Sequence, residues 1–187
     1  VVVAGTWNKD LAYAFGDSIG KMANEMDVSG WYAPAMNNHR TAFAGRNFEY
    51  YSEDPVLSGH IAANAVKGSQ DYGVYAYMKH FALNDQEGNR CDMLCTWSNE
   101  QAIREIYLKP FEKCVKDADC LAVMSSFNYI GNRWAGGSSS LCRNVLRDEW
   151  GFRGFVETDY FGVYGYMSSD QAIRNGTDLM LVNYPTE

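Results

Sequence analysis

Short apolar segments alternate along this chain with segments of helical periodicity, about five times in 187 residues. The apolar segments are continuous rather than alternating, which is typical of strands that are covered on both faces. This order predicts a parallel sheet with helices packed outside it. The predicted strands are residues 30–37, 74–81, 120–127, 155–158 and 179–182, and the predicted helices are residues 10–26, 141–150, 168–175 and two that begin near residues 54 and 98.

Two helix starts can be predicted from capping residues. Asp54 and Pro55 place an N-cap side chain before a proline at the first helical position. Ser98 and Gln101 have the spacing of a capping box, in which each side chain bonds the backbone N–H of the other residue.

A (β/α)8 barrel fits this alternation better than a nucleotide-binding doubly wound sheet. Neither G-x-G-x-x-G nor G-x-x-x-x-G-K-S/T follows a predicted strand. A barrel of this kind typically needs about 250 residues, so the chain should supply most but not all of the strand–helix units. The first residues, VVVAGTWN, look like a strand that has already begun. We therefore expect residues 1–187 to be one partial barrel domain of a longer protein.

Composition narrows the classes of partner. The net charge of −7 argues against nucleic acid or an anionic membrane as the main partner. No apolar run approaches the roughly 20 residues of a transmembrane helix. The five cysteines are odd in number and irregularly spaced, which favours free thiols and a cytoplasmic location over a disulfide framework. Cys91 and Cys95 lack a second pair of ligands for a metal, and no cofactor is expected.

Polar side chains follow several predicted strands at their carboxyl ends. In a barrel these ends meet on one face, where the loops build the active site. Each residue taken alone has a plainer explanation: Asp159 could cap the next helix, and Arg46 with Glu49 could be an exposed ion pair that contributes little. Their common placement favours a functional site. The side chains concerned are Asn37, Asn38, His39, Arg40, Lys79, His80, Ser125, Ser126, Asn128, Glu157, Thr158 and Asp159.

Four separated motifs then identify a resemblance. NNHRTAFAGRNFEYYSEDP, KHFALNDQEGNR, VMSSFN and LRDEWGFRGFVETDY are similar to the catalytic barrel of glycoside hydrolase family 3, in its β-glucosidase-like branch. The resemblance covers nearly the whole chain. It implies that Asp159 is the catalytic nucleophile, that Arg46, Lys79 and His80 hold hydroxyls of the terminal sugar, and that Met124 lines the site. The positive charges should also favour an ionised Asp159 by lowering its pKa.

The chain departs from the family pattern at two positions of the sugar pocket. Phe127 stands where members commonly have a tyrosine whose hydroxyl could bond the nucleophile, and Tyr160 stands where many have tryptophan. KHFALND replaces the KHFPGHG of the N-acetylglucosaminidase branch and lacks its catalytic histidine, which argues against that branch.

The acid/base glutamate has no match within the chain. None of Glu49, Glu53, Glu87 and Glu157 fits the family's motif for it. In this branch the acid/base normally comes from a second α/β domain, which we therefore expect outside residues 1–187.

The resemblance implies hydrolysis of terminal non-reducing β-D-glucosyl residues by a retaining double displacement. A retaining enzyme needs one carboxylate to attack the anomeric carbon and a second carboxyl to protonate the leaving oxygen. Two alternatives stay open. One is a β-xylosidase or other β-exoglycosidase with the same chemistry, and the other is a catalytically inactive sugar-binding module.

Overall fold

The computed structural model describes residues 1–161 and 164–182. Its strands are β1 (Gly30–Trp31), β2 (Tyr75–Phe81), β3 (Cys95–Thr96), β4 (Ala122–Ser125), β5 (Tyr129–Ile130), β6 (Arg133–Trp134) and β7 (Phe155–Glu157). Its α-helices are α1 (Val2–Gly5), α2 (Lys9–Glu25), α3 (Pro55–Gln70), α4 (Glu100–Ala102), α5 (Lys109–Ala118) and α6 (Ser169–Arg174). π-Helical segments span Ile103–Tyr107 and Ser140–Glu149, and a 3₁₀ turn spans Ala135–Gly137.

The main sheet is parallel, as predicted, with strand order β1-β2-β4-β7. Single bridges extend it, from Ala35 to Lys79 beyond β1 and from Glu157 to Leu179 beyond β7. The predicted strand at 179–182 is therefore represented by one bridge within the described residues. The segment at 30–37 forms the two residues of β1 and one bridge at Ala35; between them lies Pro34, which has no backbone N–H to donate to a neighbouring strand.

The two faces of the main sheet differ. Met78, Val123 and Val156 lie opposite one another in the register, are fully buried and belong to the core under the helices. Tyr77 and Phe155 lie on the other face, with ring centroids 5.4 Å apart. Side chains alternate between faces along a strand, so this second face is the interior of the predicted barrel.

Helices α2, α3 and α5 pack side by side on the outer face. The crossing of α2 and α3 brings the two backbones into contact. A Cβ on Gly16 would lie 2.0 Å from the carbonyl oxygen of Ala65, and one on Gly68 would lie 2.4 Å from that of Tyr13. Only glycine fits at these two positions, which explains why the crossing can be so close.

The structure confirms one predicted helix start and corrects another. Asp54 caps α3, its Oδ1 accepting the N–H groups of Val56 and Leu57 at 2.7 and 2.9 Å. The predicted capping box of Ser98 and Gln101 is wrong. Asn99 caps α4 instead: its Oδ1 accepts the N–H of Ala102 at 2.8 Å, so the helix begins one residue later than predicted.

One prediction was wrong, and one feature was not predicted. The run VVVAGTWN, expected to be strand-like, contains the short helix α1. A second, three-stranded sheet in the order β3-β5-β6 ties the segment after β2 to the segment after β4. Its strands have two residues each, too few to show a periodicity in the sequence. In the part of the chain described, no helix has the length and apolar character needed to cross a membrane.

Candidate active site

The candidate site lies at the carboxyl ends of the parallel strands β2 and β7. Lys79 and His80 are near the end of β2, and Asp159 follows β7 by two residues. Asp159 is 9% exposed and His80 is 1% exposed. Strand pairing through β4 fixes the spacing between these two strands, so residues far apart in sequence converge on one edge of the sheet.

Three groups surround the carboxylate of Asp159. The backbone N–H of Tyr160 donates to Oδ1 at 2.7 Å. Arg90 places Nη1 3.4 Å from Oδ2, and His80 places Nε2 3.7 Å from the same oxygen. A buried carboxylate with hydrogen-bond donors and a cation at this range is held in a fixed orientation.

Burial and neighbouring cations keep His80 neutral. The pKa of His80 lies well below its ordinary value, first because of burial and then because of Arg46, Lys79 and Arg90. Arg46 Nη1 lies 3.1 Å from His80 Nε2, and a guanidinium can only donate. The proton of the neutral ring is therefore on Nδ1, which faces Asn37 Oδ1 at 3.4 Å. The contact between His80 and Asp159 is thus not an ion pair.

Arg46 and Lys79 add positive charge to the site. Arg46 forms an ion pair with Glu49 and lies 4.0 Å from Glu87. Burial lowers the pKa of Lys79, and the negative charges of Glu49 and Asp159 oppose that shift. Among the described residues, the ammonium group of Lys79 has no hydrogen bond or ion pair of its own, which leaves its donors available to a ligand.

The positive charges do not lower the pKa of Asp159 below its ordinary value, contrary to expectation. Burial raises this pKa and outweighs the opposing effects of the Tyr160 N–H and of Arg90, Arg46 and Lys79. The sign of each charge effect was predicted correctly. The error lay in leaving out desolvation, which the sequence does not reveal.

Arg90 is a site residue that sequence reasoning missed. It ends the motif KHFALNDQEGNR, where it was quoted without a role. Its guanidinium lies 2.8 Å from Glu87, 3.4 Å from Asp159 and 4.7 Å above the ring of Phe127. Glu87 and Arg90 lie in a loop and turn rather than a helix, so no periodicity in the sequence pointed to their pairing.

The pocket-lining side chains proposed from the sequence occupy this neighbourhood. Met124 is buried in β4 and pairs in register with Glu157. Phe127 is buried and faces Arg90, so a cation–π contact occurs where the family pattern has a tyrosine hydroxyl. Tyr160 is partly buried and packs against a small hydrophobic cluster that contains Phe127.

Other polar residues at the strand ends have structural roles. Asn37 binds His80 through the backbone, at 2.8 and 3.0 Å, and so supports the site. Asn38 instead bonds Ile106, and the guanidinium of Arg40 lies 5.5 Å from the Tyr107 ring. The hydroxyl of Ser126 and the amide of Asn128 both bond the carbonyl oxygen of Ala82. Within residues 1–161 and 164–182, no three His, Cys, Asp or Glu side chains are placed to hold a metal ion.

Comparison with known proteins gives a consistent result. A family model described as "Glycosyl hydrolase family 3 N terminal domain" matches residues 1–186. Beta-glucosidase A of Butyrivibrio fibrisolvens is 45% identical over 161 residues, which are 86% of this chain and 19% of that protein. A beta-glucosidase of Rhizobium radiobacter is 40% identical over 179 residues, which are 96% of this chain and 21% of that protein.

Solved structures show the same similarity. Beta-glucosidase 3B of Thermotoga neapolitana, in complex with glucose, superposes with a TM-score of 0.91 and 43% identity over 96% of this chain and 25% of that one. Beta-glucosidase of Kluyveromyces marxianus, also in complex with glucose, gives a TM-score of 0.93 and 35% identity over 99% of this chain and 21% of that one. The N-terminal domains of these neighbours are (β/α)8 barrels, and the sheet described here is part of one. The chain spans about a fifth of the length of the curated relatives cited above.

Proposed function

The chain belongs to glycosyl hydrolase family 3, and on that premise we propose that it carries the nucleophile and sugar pocket of a retaining β-glucosidase. The observation that supports this proposal is the setting of Asp159. Its buried carboxylate is oriented by the Tyr160 N–H and Arg90, with a neutral His80 beside it. The names of the relatives, which are beta-glucosidases, favour glucose over xylose as the terminal sugar.

In the proposed mechanism, Asp159 attacks the anomeric carbon and forms a glycosyl ester. Burial raises the pKa of Asp159, so its carboxylate is more basic than one in water, and basicity favours attack. The negative charge disappears as the ester forms, which relieves the cost of keeping a charge buried. Arg90, Arg46 and Lys79 oppose this shift of the pKa and so favour the ionised form that the reaction needs.

The terminal sugar would be held by Arg46, Lys79 and His80. A guanidinium and an ammonium bind hydroxyl oxygens through charge-assisted hydrogen bonds. Lys79 is half-buried on the barrel face, where its unused donors can reach a ligand. Met124, Phe127 and Tyr160 would give the pocket its apolar surface, with Tyr160 next to the nucleophile.

The acid/base carboxyl is proposed to come from a second domain. Glu87 and Glu49 accept hydrogen bonds from Arg90 and Arg46, so neither is placed as a proton donor. Glu157 lies one layer deeper on β7 than Asp159, away from the mouth where a leaving oxygen would sit. A second α/β domain outside residues 1–187 therefore remains our prediction for the source of this group.

The test is covalent labelling of the full-length enzyme with 2,4-dinitrophenyl 2-deoxy-2-fluoro-β-glucoside. Its leaving group departs without a proton, so the reaction reports on the nucleophile alone. We expect a glycosyl adduct on the peptide that contains Asp159, and no adduct in Asp159→Asn. Asp148→Asn is the control, because Asp148 is exposed and lies on the helix before β7. An adduct on another residue would refute the assignment.

A further inference from the structure

Glu157 is a second buried carboxyl in the candidate site, and the mechanism above does not use it. It is 7% exposed and belongs to β7, in register with Met124 on one side and bridged to Leu179 on the other. Because Phe155, two residues earlier, faces Tyr77, Glu157 also lies on the barrel face of the sheet. Its Oε2 is buried and has no hydrogen-bond partner among the described residues.

The two carboxyls Glu157 and Asp159 have very different surroundings. Asp159 has three cations and a backbone N–H acting on it. The titratable groups that act on Glu157 are Asp159 itself and the hydroxyl of Tyr32, and the charge of Glu157 in turn affects Tyr32 and Tyr77. Within the described residues no cation stabilises Glu157 as an anion.

When two nearby carboxyls share charge, the group with better-solvated or better-paired oxygens ionises first. Here the paired group is Asp159 and the unpaired group is Glu157. Burial, and then the charge of Asp159, raise the pKa of Glu157 to about 7. The hydroxyl of Tyr32 opposes this shift. These surroundings favour the charge on Asp159, which Arg90 contacts at 3.4 Å, and the proton on Glu157, whose Oε2 has no partner among the described residues.

We propose that Glu157 is a positioning residue for the reaction: it holds a proton while Asp159 is a free carboxylate and releases that proton when Asp159 is glycosylated. This inference rests on the function proposed above. In glycosylation the Asp159 oxygen bonds to the anomeric carbon, and the bond to the leaving oxygen breaks with its electron pair going to that oxygen. The negative charge beside Glu157 is lost, so Glu157 ionises and its proton passes to solvent. When water cleaves the ester, the charge returns to Asp159 and Glu157 takes up a proton again.

The coupling must act in both directions, because linkage is reciprocal. If glycosylation of Asp159 favours the ionised form of Glu157, then ionisation of Glu157 favours glycosylation. Reciprocity strictly concerns equilibria. It extends to the rate here because part of the negative charge of Asp159 is already lost in the transition state, so an ionised Glu157 raises the energy of the ground state more than that of the transition state. As the pH increases, the rate of labelling by the dinitrophenyl fluoroglucoside should therefore rise once when Asp159 ionises and a second time near neutral pH. A coupling of one pKa unit corresponds to about a tenfold rise, and we expect a rise between about twofold and tenfold because burial accounts for the larger part of the shift.

The experiment compares the wild type with Glu157→Gln, which keeps the shape of the side chain and cannot ionise. We expect the second rise in the labelling rate to be absent in Glu157→Gln. The first rise, at acidic pH where Asp159 ionises, should be retained in this variant. Proton release can be measured during labelling in unbuffered solution near pH 7. We expect the wild type to release more protons per active site than Glu157→Gln, and the difference to be a fraction of one proton. Glu149→Gln, a change of an exposed glutamate, is the control and should match the wild type.

Tyr32→Phe provides an independent test at an exposed side chain. The hydroxyl of Tyr32 favours the ionised form of Glu157, so its loss should move the second rise to higher pH. Coinciding pH profiles for the wild type, Glu157→Gln and Tyr32→Phe would overturn this inference and leave the nucleophile assignment standing. Absence of labelling at every pH in the wild type would instead refute the proposed function.

Discussion

Replacing Arg90 by methionine should move the acidic limb of the activity profile to higher pH. Arg90 is the cation nearest to Asp159 in the described structure, at 3.4 Å, and the two side chains are 20% and 12% exposed. At that distance and an effective dielectric constant of about 20, the attraction is about 5 kcal/mol. Methionine retains part of the apolar stem above Phe127, so the change removes mainly the charge.

The measured shift in the pKa of Asp159 should be smaller than the shift that this Coulomb energy alone would produce. One pKa unit corresponds to about 1.4 kcal/mol, and carboxylates beside an arginine have pKa values lowered by about 1–3 units. Glu87, 2.8 Å from Arg90, already neutralises part of its charge. Removing a cation that lowers the pKa of Asp159 must raise that pKa, so the ionised nucleophile is lost at higher pH. We expect the limb to move up by about 1–3 pH units, with activity recovering under alkaline conditions.

The assay is kcat/KM for an aryl glucoside with an activated leaving group, whose pH dependence reports ionisations of the free enzyme. The double variant Glu87→Gln/Arg90→Met removes one negative and one positive charge and so retains the net charge of the wild type. It shows whether the shift in the acidic limb depends on the local charge of Arg90 or on the net charge of the protein. Arg153→Met changes an exposed arginine and serves as the control. An unchanged acidic limb in a folded Arg90→Met variant would refute the argument that Arg90 sets the ionisation of Asp159.

Three further predictions follow from the same structure. Lys79→Ala should reduce turnover strongly with little change in melting temperature, since Lys79 has no ion pair among the described residues; a parallel loss of stability in thermal unfolding would contradict this. Asp54→Ala should lower the free energy of unfolding by about 0.5–2 kcal/mol through loss of the α3 cap, without altering kcat; Asp54→Asn is the control that retains a capping oxygen. Residues 1–187 expressed alone should hydrolyse unactivated glucosides poorly, because a missing acid/base costs about 10²–10⁴-fold, and should suffer least with dinitrophenyl glucosides. Full activity on cellobiose would place the acid/base within this chain.

The sequence predicted the layout of the fold because that layout depends on patterns within single segments. The extent of α2 and the cap at Asp54 are local features, and both appear in the structure. The buried face of α2 was predicted wrongly. Its apolar side chains Leu11, Phe15 and Met22 are exposed. The small residues Ala12, Gly16 and Gly20 are buried instead, because they allow the close crossing with α3. In the small sheet, β5 and β6 form a local hairpin around Gly131 and Asn132, a dipeptide that could have indicated it. The pairing of β3 with β5 joins Cys95 to Tyr129, and no local pattern indicates such a distant partner. Asn99 replaced the predicted capping box because two candidate caps stood next to each other, and only backbone geometry decides between them.

The candidate site was predictable in its members but not in its electrostatic balance. Asp159, His80 and Lys79 share an edge of the sheet because parallel strands end together, which strand order implies. The balance between burial and charge depends on how deeply each carboxyl lies. Asp159 and Glu157 are two residues apart, yet the guanidinium of Arg90 reaches only the first. In the reaction proposed above, this difference in surroundings is what assigns the charge to Asp159 and the proton to Glu157.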